Sequence, residues 1–170
     1  MRPLLFLDVD GPLIPFGGTS PHPAYAPEPP PDAHPLLHRV DPAHGPRLAA
    51  LGCALVWATT WGQEANEVLA PRLGLPPLPV VDWPDEDDDP VAAGLHWKTR
   101  ALAARAEGRP YVWLDDEITD ADRAWARAHH PAPALLHRVD PATGLTAADY
   151  ATVSSWVGAC RVAEYGTRAG

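Results

Sequence analysis

Short apolar runs and helix-like segments alternate along the chain. Continuous apolar runs bounded by turn residues predict buried strands. They cover residues 4–9, 53–59, 111–114 and 134–139, with a shorter run at 80–81. Segments that stop at glycine or proline predict helices, at residues 46–51, 63–73, 95–106 and 121–130. A last helix at 146–157 begins with Thr146 and Asp149 in a capping-box arrangement.

The order of these elements predicts the fold class. Strands that alternate with helices favour an α/β fold, a Rossmann-like three-layer α/β/α arrangement with a mostly parallel central sheet. The length of 170 residues suits one domain over residues 1–170. Ligands bind such sheets beyond the carboxyl ends of the strands. Three predicted strands end there in polar pairs: Asp8 and Asp10, Thr59 and Thr60, and Asp115 and Asp116.

Two segments are predicted to lack regular structure. Residues 12–35 hold many of the 22 prolines of the chain and predict a long loop or flap directly after the first aspartate pair. Residues 76–90 combine proline with an acidic run and predict an irregular, acidic loop. Such a charge run is typical of a solvated surface.

One sequence segment occurs twice. LLHRVDPAHG at 36–45 returns as LLHRVDPATG at 135–144. Both copies are predicted to form a strand that turns at Asp-Pro and enters a helix. Asp41 and Asp140 are then expected to cap equivalent turns, since a repeat protein would need at least three copies.

The composition narrows the class of partner. The net charge of −9 disfavours duplex nucleic acid and anionic membranes as partners, because both attract basic patches. A phosphorylated substrate stays compatible, since a bound divalent cation reverses the local field. The chain has no apolar run of 18 residues, so we expect a cytoplasmic protein without a membrane span. Cys53 and Cys160 are predicted to be reduced thiols, and the oligomeric state is left open.

The aspartate pair indicates metal-assisted chemistry. Two carboxylates two positions apart at a strand end repel each other unless a cation, a proton or a hydrogen bond lies between them. Mg²⁺ suits them because it prefers oxygen ligands and needs few from the protein. Asp8 or Asp10 can then attack phosphorus as a nucleophile while the other transfers protons. Gly11 lets the chain turn sharply beside the substrate.

The other polar residues complete a phosphate site. Thr59 and Thr60 offer hydroxyl and N–H groups near the start of a predicted helix, where phosphate is well held. Lys98 can neutralise phosphate charge, and Asp115 and Asp116 add the negative charge that Mg²⁺ requires. The tryptophans are expected to pack the core or line the mouth of the site. Trp61, directly after the threonine pair, is the best candidate for a ring that faces the substrate.

These motifs together resemble the haloacid dehalogenase (HAD) superfamily of phosphohydrolases. The first motif, hhhhDxDG, stands as LLFLDVDG, and the second as ALVWATTW. The third is a lysine, most simply Lys98 in HWKTRAL, and the fourth stands as YVWLDDEITD. The four occur in the family's order over residues 4–125. Two departures are Pro12, where threonine is common, and the lack of a proline after Lys98.

The resemblance implies a role for each matching residue. Asp8 resembles the nucleophile, and Asp10 the general acid/base whose backbone carbonyl also meets Mg²⁺. Thr59, or alternatively Thr60, resembles the phosphate-holding hydroxyl.

For the fourth motif, Asp116 is the best match for the acidic metal ligand, with Asp115 beside it. Asp120 completes a DDxxxD pattern and is expected to position the metal-binding residues without binding the metal itself. The large cap domain usual in the family is missing, which predicts an open site or one covered by the flap or a second subunit.

The predicted activity is a Mg²⁺-dependent phosphatase that works through an aspartyl-phosphate on a phosphorylated small molecule or phosphoprotein. Three alternatives stay open: a phosphotransferase with the same intermediate, a non-catalytic phosphate-binding or interaction module, and, disfavoured by Asp10 and the Asp115–Asp116 pair, a dehalogenase.

Overall fold

A four-stranded parallel sheet forms the centre of the computed structural model, which describes residues 2–27, 31, 33–83 and 94–168, with side chains to residue 163. The strand order is β2-β1-β3-β4. The strands are β1 (Leu4–Leu7), β2 (Ala54–Trp57), β3 (Tyr111–Asp115) and β4 (Ala134–Arg138). Leu7 pairs with both Trp57 and Leu114, so β1, β2 and β3 end at the same edge of the sheet.

The first four helices connect successive strands, and the fifth follows β4. They are α1 (His44–Ala50), α2 (Ala70–Leu73), α3 (Lys98–Arg105), α4 (Asp120–His129) and α5 (Ala147–Arg168). The predicted helix at 63–73 is a π-helical segment, Ala65–Leu69, that leads into α2. Pro71 accounts for the change, because proline lacks an N–H and its ring clashes with the carbonyl four residues earlier. The predicted strand at 80–81 is a single bridge between Trp57 and Val80.

The core has two layers, one on each face of the sheet. Alternate residues of a strand point to opposite faces, and Leu5 and Leu7 belong to one apolar cluster while Leu4 and Phe6 belong to the other. The first cluster contains residues of α1, α2 and α5, and the second contains residues of α3 and α4. The predicted three-layer α/β/α class is therefore confirmed.

The repeated segment adopts two different backbone shapes. Its second copy forms β4, but the first copy forms a 3-10 turn at Leu37–Arg39, so the prediction of a strand there is wrong. A strand needs a neighbour, and the first copy satisfies its N–H groups locally, with Arg39 donating to the carbonyl of Leu36 at 2.9 Å. The predicted Asp-Pro turns are present in both copies. The side chains of Asp41 and Asp140 each accept a hydrogen bond from the backbone N–H of the residue two positions later, at 2.8 and 2.9 Å.

Parts of both segments predicted to be irregular, residues 28–30, 32 and 84–90, lie outside the described residues. Residues 12–16 of the predicted flap lie against the rest of the fold, and Leu13 and Ile14 are fully buried. Within the described ranges, no helix has both the length and the apolar character needed to cross a membrane.

Candidate active site

The site begins where β1 ends. Asp8 continues the strand by donating its N–H to the carbonyl of Leu114, and the residue is 8 % exposed. The chain then turns tightly, because the N–H groups of Leu13 and Ile14 both donate to the carbonyl of Val9. Gly11 has φ +84°, and a Cβ there would lie 2.7 Å from the Asp116 carboxyl carbon. The glycine thus lets the first and third strands deliver carboxylates side by side.

Lys98 lies at the centre of the site. Its Nζ donates to Asp8 Oδ2 and to Asp115 Oδ2, both at 2.8 Å, and the residue is 4 % exposed. It is the only lysine of the chain, which otherwise uses arginine for its basic residues. A single ammonium therefore holds two buried carboxylates. Removing any one of these charges would leave the others buried without a compensating partner.

Burial and the neighbouring charges shift the pKa values in this cluster. Burial raises the pKa of Asp8 well above its ordinary value and Asp115 raises it further, while Lys98 opposes both. Burial by itself lowers the pKa of Lys98, but Asp8 and Asp115 more than offset this, so its pKa is raised and the amine stays protonated. The ionised form of Asp8 is therefore disfavoured, and a cation bound beside it would stabilise that form.

Two adjacent aspartates of the fourth motif have different positions. Asp115 is fully buried, and its oxygens accept hydrogen bonds from Lys98, from Trp113 Nε1 at 3.2 Å and from the N–H of Glu117 at 2.9 Å. Asp116 is half-buried, with a pKa raised by burial and by Asp115. Asp115 thus holds Lys98, whereas the Asp116 carboxylate is open to a ligand.

The donor set fits a hard divalent cation. Single carboxylate oxygens of Asp8, Asp115 and Asp116 all lie within 4.8 Å of one another. Asp8 and Asp116 line the cavity at this edge of the sheet and Asp115 does not, so Asp8 and Asp116 are the residues that could hold the ion. Carboxylate oxygens with room for further oxygen ligands are the surroundings that Mg²⁺ prefers.

A second acidic group lies beside this one. Ligand atoms of His96, Asp115 and Glu117 also lie within 4.8 Å of one another. His96 Nδ1 accepts the N–H of Lys98 at 3.1 Å, so Nε2 carries the hydrogen, which it donates to Glu117 Oε2 at 3.2 Å. The nitrogen that a metal would need is therefore already used, and this group serves to orient the start of α3.

A cavity of about 240 Å³ opens at this edge of the sheet. It is lined by Asp8, Asp10, Phe16, Thr60, Trp97, Lys98, Asp116 and Glu117. Five of the residues predicted from sequence therefore line one cavity, and these are Asp8, Asp10, Thr60, Lys98 and Asp116. The predicted residues Thr59, Asp115 and Asp120 do not line the cavity.

The two threonines have different surroundings: Thr59 is buried and Thr60 is exposed. Thr59 is 1 % exposed, and its hydroxyl accepts the N–H of Trp61 at 3.3 Å. Its carbonyl accepts Trp83 Nε1 at 3.2 Å. Thr60 is exposed and lies on the cavity wall. Of the two predicted phosphate ligands, the geometry favours Thr60.

Trp61 contacts the acid/base candidate. Its Nε1 donates to Asp10 Oδ2 at 3.0 Å, and the ring of His34 lies 4.9 Å from its ring. Trp61 is not among the residues that line the cavity. The ring predicted to face the substrate instead fixes the orientation of the Asp10 carboxylate.

Asp120 does not support the site as predicted. Its side chain is fully exposed and pairs with Arg123 at 2.8 Å along the surface of α4. It is the first residue of α4 and points to solvent, as polar residues at the start of an exposed helix commonly do.

Asp122 provides the support instead. It is fully buried and accepts the N–H of His96 at 2.8 Å, the Thr99 hydroxyl at 2.6 Å and the N–H and hydroxyl of Thr119. It joins the start of α4 to the segment that carries Lys98. The Thr-x-x-Asp spacing of Thr119 and Asp122 is a capping-box signal that could have found it from sequence.

Comparison with known families matches residues 4–150 to the HAD domain in Swiss Army Knife RNA repair proteins. Comparison with curated proteins and with solved structures gives no match.

Proposed function

Because this chain belongs to the family of HAD domains found in Swiss Army Knife RNA repair proteins, and so to the HAD-type hydrolases, we propose that it is a Mg²⁺-dependent phosphomonoester hydrolase. The observation that carries the proposal is the cavity wall on which Asp8, Asp10 and Asp116 lie together beside Lys98. Carboxylates so placed match a nucleophile, a proton carrier and a metal ligand.

The family description also suggests a substrate class. A domain of RNA repair proteins favours a phosphorylated RNA end as the substrate. The net charge of −9 disfavours binding along an extended phosphate backbone, so recognition is confined to the terminal nucleotide. A small phosphorylated molecule and a phosphoprotein are the alternative substrates of the same chemistry.

Asp8 and Asp10 divide the chemistry between them. A carboxylate oxygen of Asp8 attacks phosphorus, the bond to the leaving oxygen breaks, and Asp10 gives that oxygen its proton. Asp10 then takes a proton from water, whose oxygen attacks the same phosphorus and releases phosphate and the Asp8 carboxylate. Since Asp10 Oδ2 accepts Trp61 Nε1, Oδ1 is the oxygen free to carry the proton.

Other residues of the chain hold the reacting groups. Asp8 and Asp116 would hold Mg²⁺, which when bound neutralises phosphate oxygens and makes phosphorus more electrophilic. Lys98 keeps the Asp8 carboxylate in place and adds positive charge where the phosphate arrives. Thr60 offers its hydroxyl to a phosphate oxygen from the cavity wall.

The test compares hydrolysis of p-nitrophenyl phosphate and of a terminally phosphorylated RNA, with Mg²⁺ or with EDTA. Asp8→Asn and Asp10→Asn are expected to lower kcat at least about 100-fold, since each removes a reacting group. Asp120→Asn is the matched control and should retain full activity, because its carboxylate is exposed. Equal rates in all three variants would refute the mechanism.

Two further results identify the alternatives. Transfer of the phosphoryl group to an added alcohol in preference to water would indicate a phosphotransferase. Tight binding of a phosphate mimic without turnover of any substrate would indicate a non-catalytic module.

A further inference from the structure

The side chains around the cavity offer almost no positive charge to a second phosphate. Its lining residues include four carboxylates, from Asp8, Asp10, Asp116 and Glu117, and one cation, Lys98. Lys98 is already shared by two carboxylates. Among the described lining residues, no cation is left for the part of a substrate beyond its reacting phosphate. Affinity for that part has to come from uncharged contacts.

Two aromatic side chains that line the same cavity can provide such contacts. Phe16 is 38 % exposed and Trp97 is 40 % exposed, and both line the cavity. In the described part of the chain only four large apolar side chains are exposed, the other two being Tyr25 and Val162. Half of them therefore lie at one polar site, where exposed rings are typical of ligand contact.

Neighbouring contacts hold the backbone of Phe16 and the ring of Trp97 in position. The N–H of Phe16 donates to the carbonyl of Pro141 at 2.8 Å, and the preceding carbonyl, of Pro15, accepts Arg39 Nη1 at 2.9 Å. Trp97 packs edge-on against Trp83, with ring centroids 4.7 Å apart, and stacks on His96 at 5.7 Å. A ring or backbone that is already held in place loses little entropy when a planar ligand stacks on the side chain.

We propose that Phe16 and Trp97 determine specificity by stacking on the nucleobase of the nucleotide that carries the reacting phosphate. Every base has a π face, so such stacking accepts any base and rejects a substrate that lacks one. The proposal rests on the proposed function, because it assigns the substrate of the same site.

The test uses a four-nucleotide RNA with a terminal phosphate and the same RNA whose terminal sugar lacks its base, each with the phosphate at the 5′ or the 3′ end. The wild-type KM is expected to be about tenfold lower for the RNA that has the base. Phe16→Ala should raise that KM about tenfold and leave the KM for the base-free RNA unchanged, while Phe16→Tyr should restore it.

Trp97 is tested with its own pair of variants, because its ring centroid also lies 5.5 Å from Lys98 Nζ. Trp97→Ala should remove the preference for the base, and Trp97→Phe, which keeps a ring, should retain it. Trp125→Ala is the matched control, since Trp125 stacks on His129 on α4 and does not line the cavity. It should leave the preference intact.

Binding to Asp8→Asn in Mg²⁺, measured by calorimetry with the same RNAs, separates this proposal from the proposed function. If the wild type hydrolyses no phosphomonoester, the proposed function fails, and the stacking is still tested by binding. Equal affinity for the two RNAs, or an equal loss for both in Phe16→Ala, would overturn the stacking proposal.

Discussion

At the scale of single residues, Lys98 is the residue whose replacement the surrounding buried charges restrict most. Its ammonium lies between Asp8 and Asp115, all three buried. Removing one partner of a buried charge cluster leaves the others uncompensated, which costs more than the pair itself contributes.

We therefore expect Lys98→Met to lower the free energy of unfolding by about 3–5 kcal/mol, measured by urea unfolding at neutral pH. Adding Asp115→Asn should recover part of the loss, because one of the two unpaired carboxylates is then neutral. Arg127→Met, at an exposed cation of α4, is the control and should change stability little. A loss below about 1 kcal/mol for Lys98→Met would contradict the interpretation.

The sequence predicts part of this site for a clear reason. Asp8, Asp10, Lys98 and Asp116 belong to local motifs on elements whose ends meet at one sheet edge, so the pattern along the chain is enough to gather them. Which oxygen faces the cavity is decided by hydrogen bonds between distant segments. The contact of Trp61 with Asp10 spans 51 positions, and no spacing along the chain predicts it.

At the scale of elements, two helices begin with the same device. Thr119 and Asp122 start α4, and Thr146 and Asp149 start α5, each with a carboxylate that accepts the threonine N–H at 2.8 or 2.7 Å. The second box is predicted from the sequence and confirmed. The first box overlaps the DDxxxD pattern, which ends at Asp120, two residues before the buried carboxylate of Asp122.

The two boxes predict different consequences for the same substitution. Asp122→Asn and Asp149→Asn should each lower the free energy of unfolding by about 1–2 kcal/mol, because each replaces a hydrogen-bond acceptor with a donor. Only Asp122→Asn should also lower kcat, since Asp122 holds His96 and Thr99 on either side of Lys98. Equal activity in the two variants would show that α3 keeps its position without Asp122.

The pKa shifts fix how these differences depend on pH. Burial acts to raise the pKa of both carboxyls, but hydrogen bonds from Thr119 and Thr99 lower that of Asp122, and those from Thr146 and His137 lower that of Asp149. The folded state thus prefers the ionised form more than the unfolded chain does. The stability advantage of the wild type should be complete above about pH 4 and disappear as the pH falls through the lowered values.

At the scale of the whole molecule, a bound ion should stabilise the fold. An ion that binds only the folded state shifts unfolding by mass action, by about 2.7 kcal/mol at 100 times its Kd. We expect saturating Mg²⁺ to raise the thermal midpoint by about 5 °C. Asp116→Asn should abolish the shift, and Glu117→Gln, its neighbour on the cavity wall, should keep it. The reverse result would place the ion in the His96–Asp115–Glu117 group.

The architecture was the most predictable level. Continuous apolar strands alternating with helices admit few arrangements, and the parallel three-layer fold follows from that pattern. There are two exceptions. The repeated segment forms a strand only in its second copy, within β4 (Ala134–Arg138), because β3 offers an edge to pair with there. The π-helical turn before Pro71 has a local cause, the missing N–H of a single residue.

Because the chain has a single lysine, covalent labelling of amines can report on one site of the protein. Reagents that acylate amines have one side-chain target, Lys98, and in the folded molecule that amine is protonated and shielded. Its acylation therefore requires the ammonium to lose its proton and its contacts with Asp8 and Asp115. The mass gained with time would report how often these contacts break, with the amino terminus as an internal standard in the same molecule.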